Sequence, residues 1–159
     1  MIVVWGIAVL CTLFLSSCKR PEVLDNSTLV NSARNVALTF GPAYVPFFKE
    51  ANVSDVQVFK KEDYGDSRPQ IRKQIGRKFY TVTFTYDSTA VKFDFGFAAR
   101  VRIWKDTGEP LDVIFGNGWG RNFFFLSFKE QTDHSANDYE KVASDSIVKV
   151  PLQTVHEPE

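Results

Sequence analysis

Tyr80, Val82, Phe84 and Tyr86 alternate with Thr81, Thr83 and Thr85, so aromatic and aliphatic side chains fall on one side of the backbone and hydroxyls on the other. A period of two in aromatic and β-branched residues predicts a strand with one buried face. The chain must therefore build a sheet and cover it. The alternation resumes at Val91 and runs through Phe93, Phe95, Phe97, Ala99, Val101 and Ile103, against Lys92, Asp94, Gly96, Arg100 and Arg102. That length predicts one long bent strand or two. Gly96 is the place for a bulge or bend, because glycine has no side chain to pack and tolerates unusual backbone angles. Asp106 to Pro110 predict a turn. Leu111 to Phe115 and Phe123 to Phe128 predict two further strands, joined by Gly116-Asn117-Gly118-Trp119-Gly120-Arg121-Asn122. Val56 and Val58 alternate with Asp55 and Gln57, which predicts the first strand from Ser54.

The cover is a helix. Leu29, Ala33, Val36, Ala37 and Phe40 recur at helical spacing from a start near Ser27 or Thr28, with Asn26 or Ser27 as cap and Gly41-Pro42 as stop. Ala43 to Glu50 reads as a helical turn or short second helix carrying Tyr44, Phe47 and Phe48, with Pro46 limiting its length. Arg68, Arg72, Lys73, Arg77 and Lys78 form a basic connection. It is read as a solvated loop, with anionic headgroups as the alternative partner. The fold class expected is α+β: an N-terminal helix packed on a curved four- to five-stranded antiparallel meander. By element order this resembles the cystatin-like and nuclear-transport-factor-2-like folds, a likeness of architecture that confers no activity.

Residues 2–15 are apolar and uncharged, yet shorter than the roughly 20 residues that cross a hydrocarbon core, so they read as a secretory signal and not a spanning anchor. No Lys or Arg stands in residues 1–17, which leaves the terminal amine as the positive n-region. Leu15-Ser16-Ser17-Cys18 closes the stretch and resembles the lipobox of bacterial lipoproteins. The resemblance implies cleavage before Cys18, a diacylglycerol on its thiol and acylation of the freed amine. It also implies a location on the bacterial cell envelope, at the outer membrane. The organisation expected is a signal peptide 1–17, a lipidated tether 18–27, a single domain 28–130 and a polar tail 131–159. In that tail Ile147 to Leu152, interrupted by Pro151, is the candidate edge strand.

With Cys11 removed and Cys18 acylated, no thiol remains for a disulfide, metal or nucleophile. A mature chain of about 140 residues is long enough for a packed core to hold it without staples. Nineteen basic and nineteen acidic side chains cancel, which argues against a nucleic-acid partner, since dedicated binders are strongly basic. The partners expected are the membrane, through Cys18, and an envelope protein or a small apolar or sugar-like ligand.

The first candidate site is the glycine-rich loop. Trp119 offers an apolar face for a sugar ring, and Asn117, Arg121 and Asn122 offer donors to its hydroxyls. The competing reading is a hairpin turn whose tryptophan folds back over the sheet. A second candidate is a cavity behind Tyr80, Phe84 and Phe95, against the plain reading that the fifteen phenylalanines fill the core. His134 and His156 lack metal-ligand spacing, and Asp133, His134, Asp138 and Glu140 lack a scaffold, so neither a metal nor a cofactor is expected. The expected role is non-catalytic. The alternative is an isomerase or dehydratase with a cone-shaped cavity, for which Asp94, or Asp94 aligned with Asp112, is the first suspect.

Overall fold

A computed structural model describes residues 24–63, 65 and 68–134. The stretch read as a signal peptide, Cys18, the expected tether through residue 23, and the tail from residue 135 with its candidate edge strand lie outside the described residues. Helix α1 (Asn26–Phe40) is capped by Asp25, one residue before the predicted caps, whose carboxylate accepts the Thr28 N–H at 2.7 Å. That bond holds the Asp25 carboxyl below its ordinary value. Leu24 packs on the core as well, so the domain begins inside the stretch read as tether. The buried stripe of α1 is Leu29, Ala33, Val36, Ala37 and Phe40, the residues its spacing singled out.

This stripe covers one face of an antiparallel sheet: β1 (Phe48–Val53), β2 (Gln57–Val58), β3 (Lys78–Tyr86), β4 (Ala99–Trp104), β5 (Pro110–Phe115) and β6 (Gly120–Asn122). The order is β1-β3-β4-β5-β6, and β2 pairs with the start of β3. The α+β class and the helix-then-meander order are thus as expected. Val82, Phe84, Val101, Ile103, Val113 and Phe115 meet α1 in the main core. No helix among the described residues is long and apolar enough to cross a membrane.

Four local expectations are corrected. A 3₁₀ turn (Pro42–Phe47) ends one residue after Pro46, and β1 starts at once, because Phe48 stacks on Phe84 across the pair at 4.3 Å. Val56 and Val58 are consequently exposed, and only β2 remains of the predicted first strand. The basic connection is not wholly a loop, since Pro69–Arg72 form a short helix, α2, that buries Ile71.

Third, residues 92–98 are not strand. Phe97, Ala98 and Ala99 are buried in succession, which breaks the alternation and starts β4 at Ala99. Phe93 instead folds over the end of the core, against Tyr44 at 5.2 Å and Tyr86 at 4.6 Å. Fourth, the last strand is Gly120–Asn122 and not Phe123–Phe128. Ser127 and Glu130 form a reciprocal capping box, with Ser127 N–H to Glu130 at 2.8 Å and Glu130 N–H to the Ser127 hydroxyl at 3.2 Å. This box starts α3 (Phe128–His134), whose Gln131 is buried, so the domain continues past residue 130.

In β5 the register shifts: Arg102 faces Asp112 but Ile103 faces Pro110, so Leu111 is an extra residue. The bulge turns Leu111 away from α1 into a second cluster with Phe59, Ile71, Phe79 and Trp104 on the opposite face of the sheet.

Gly41 is required by contact, because a Cβ there would lie 2.2 Å from the Phe115 ring. Gly41→Ala should cost about 1–3 kcal/mol through overpacking. Urea unfolding checks this, and an unchanged midpoint would contradict the packing described.

Candidate functional site

The loop after β5 closes as a tight hairpin. Gly118 adopts φ +84°, and the Asn117 side-chain oxygen accepts the Trp119 N–H at 3.0 Å. Asn117 is thereby committed to its own turn. Trp119 is half-buried against the main core, 5.6 Å from Phe115. Arg121 lies opposite Val113 on the helix side, with its guanidinium 5.6 Å from the Phe40 ring centre and 5.3 Å from that of Trp119. Asn122 lies opposite Asp112 on the other face. Arg121 and Asn122 border common clefts at the edge of β6, whereas Asn117 and Trp119 line neither of these, so the four loop residues do not form one surface. Tyr80, Phe84 and Phe95 do not enclose a common space either: Phe84 is stacked in the core and Phe95 is exposed.

The other face of the sheet carries the charge. Arg102 and Asp112 are cross-strand partners, and both oxygens of Asp112 are engaged: Arg102 Nε donates to them at 3.0 and 3.1 Å, and Arg102 Nη2 donates to Oδ2. Asp112 is only 4% exposed. Burial raises its carboxyl above the ordinary value, and the Arg102 guanidinium opposes that rise. Arg102 also lies 5.3 Å from the Phe79 ring centre, which ties the pair to the second cluster. Above the pair opens a cleft of about 290 Å³ bordered by Asp63, Asn122, Arg121 and Gly118. Asp63 is set by a short 3₁₀ turn (Lys61–Asp63), in which one of its oxygens accepts the Lys60 N–H at 2.5 Å.

Two further clefts border α3. One, of about 280 Å³, lies along β6 beside Phe125, Leu126 and Gln131. There Gln131 Nε2 donates to the Asn122 carbonyl at 2.8 Å. The other, of about 200 Å³, is lined by Arg77, Trp104, Glu109 and Phe124 among others. Arg77 lies 4.0 Å from the Trp104 ring centre and grips Asp106 through Nε at 3.0 Å and Nη2 at 2.6 Å. This grip holds the Asp106 carboxyl below its usual range.

The pair Arg102–Asp112 was not singled out from the sequence as a pair. The available signal was one carboxylate inside the apolar run Leu111 to Phe115, since a charge in a buried strand needs a partner. Asp94 is exposed and outside any strand, so it does not align with Asp112. The backbone of His134 ends α3, and His156, Asp138 and Glu140 lie outside the described residues. No family model, curated protein or solved structure matches the chain.

Asp112→Ala removes the buried carboxylate that holds the partly exposed Arg102 guanidinium and should destabilise the domain by about 1.5–3 kcal/mol in urea unfolding. A loss under about 1 kcal/mol would show the pair to be solvated. Asp25, Asp87 and Asp106 are all held below the ordinary carboxylate value, chiefly by hydrogen bonds from Thr28, Thr89 and Arg77 respectively. Their stabilisation is complete above that ordinary value and fades as pH falls through it toward the lowered one. These three groups lower the melting temperature between about pH 5 and pH 2, against the opposite contribution of Asp112, whose raised carboxyl favours the folded state as pH falls, and Asp106→Asn should make the fall shallower. An unchanged slope in the variant would contradict the assignment to Arg77–Asp106.

Proposed function

We propose that the protein is a lipid-anchored component of the bacterial envelope, held by acyl chains on Cys18. Its domain binds a hydroxyl-rich, sugar-like ligand in the cleft over Arg102 and Asp112 without performing chemistry on it. The observation that carries this reading is the cleft itself: two charged side chains fixed at its floor, with Asn122 and Asp63 at its border. Small-ligand sites are clefts of this order of size in which a few fixed polar groups set orientation, and amide and carboxylate groups match hydroxyls as donors and acceptors. Charge of both signs at the border suits a neutral ligand better than an ionic one.

The isomerase or dehydratase alternative needs a carboxylate free to move a proton. Asp112 is held on both oxygens by Arg102, and Asp94 is in solvent, which supports binding over chemistry. A partner-protein reading draws on Phe125 and Leu126, 41% and 42% exposed beside the three-residue edge strand β6. Gln131 already occupies one carbonyl of that strand, which weighs against strand addition there.

Expression with the native leader should yield a protein whose mass corresponds to cleavage before Cys18 plus acyl chains, and Cys18→Ala should abolish the gain. An unacylated product of the native chain would overturn the anchor. Titration of the protein with a panel of neutral saccharides, followed by calorimetry, should find a binder whose affinity drops about tenfold in Asn122→Ala, the loss expected for one or two hydrogen bonds. Absence of any binder, or affinity untouched by Asn122→Ala and Asp63→Ala, would overturn the cleft.

A further inference from the structure

The two ends of the sheet differ in charge, and the chain enters the domain at the basic one. Leu24, the first described residue, lies against the turn between β4 and β5: a Cβ at Gly108 would come within 3.3 Å of its side chain. Lys105 in the same turn donates its backbone N–H to the Lys78 carbonyl at 2.9 Å. Arg77 reaches across to Asp106. The turn following α2, which carries Lys73 and Ile75, is held at this end by the bond from Gly76 N–H to the Phe59 carbonyl. Arg68, Arg72, Lys73, Arg77, Lys78 and Lys105 thus gather around α2 and these turns. Asp106 and Glu109 are the acidic residues among residues 68–78 and 105–109, and Asp106 is taken by Arg77. Ile75, at the tip, is 46% exposed. The far end, around the end of β3, is balanced by contrast, with Lys49 paired to Asp87 at 2.9 Å.

Six residue steps separate Cys18 from Leu24, which an extended chain spans in about 20 Å at most. On the reading that Cys18 is acylated, which this inference rests on, the bilayer surface lies within that reach of the β4–β5 turn. We infer that the basic end of the domain seats on anionic lipid headgroups, with α2 and its following turn as the contact and Ile75 directed at the interface. Clusters of this size beside a membrane attachment are drawn to anionic leaflets, and the attraction is strongest within a Debye length of the surface. The short tether keeps the cluster near that range. Lys19 and Arg20 in the tether add the same sign of charge, against the single Glu22.

The test uses the full lipidated protein reconstituted in vesicles of phosphatidylcholine alone or mixed with phosphatidylglycerol. Amine acetylation is followed by mass spectrometry at Lys73, Lys78 and Lys105, with Lys49 and Lys92 as references. Acetylation of the three contact lysines should slow on the order of fivefold in the anionic vesicles only, and the difference should vanish at high salt. A Lys73→Glu/Lys78→Glu variant with an unchanged melting temperature should lose the protection at Lys105. Intact mass of the same sample reports acylation separately. Acylated protein with equal rates in both vesicles would overturn the seating while leaving the anchor intact. Unacylated protein would overturn both.

Discussion

One extra residue in β5 governs how the two faces of this sheet are used. Without Leu111 as a bulge, alternation would carry it and Pro110 in simple register against β4. With it, Leu111 and Asp112 both serve the face away from α1. Leu111 completes a small apolar cluster, and Asp112 meets Arg102 at its margin. A sheet whose second face would otherwise be solvated thereby gains a partial second core. It also gains a buried charge pair that could not exist in a flat, solvent-facing ladder, where exposed pairs contribute little. The α1 stripe then needs to cover only the first face, which its five buried residues do.

Much of this was readable from residue order, for a physical reason. Periodicity reports burial, and burial of one face decides both α1 and β3, so Leu29 to Phe40 and Tyr80 to Tyr86 emerged as expected, with β3 starting two residues earlier at Lys78. Periodicity fails where side chains are buried without a ladder. Val91, Phe93 and Phe97 bury as a strand would, yet residues 92–98 wrap the end of the core, packing Phe93 on Tyr44. The segment from Phe123 failed differently: its aromatics read as strand, while Ser127 and Glu130, three residues apart, carried a helix-start signal that outweighed them. The loop around Trp119 was visible as turn chemistry. That its members divide between the two faces depends on register, which short-range sequence does not specify.

The pair Arg102–Asp112 illustrates the same limit. Arg102 sits at a polar position of its strand and Asp112 inside a buried apolar run, and their meeting depends on the bulge. A buried ion pair is weak evidence of stabilisation, since the cost of removing two charges from water offsets their attraction. Its persistence at the floor of an open cleft is better explained by recognition, on our reading, than by folding energy.

The most direct measurement is the joint stability and saccharide binding of the double variant Arg102→Met/Asp112→Leu. Removing both charges together takes the pair away as a unit, so this account predicts binding lost with a melting temperature close to that of the native domain. A folded variant that binds as the native protein does, or a domain that melts well below the native one, would contradict the claim that the pair is held for recognition.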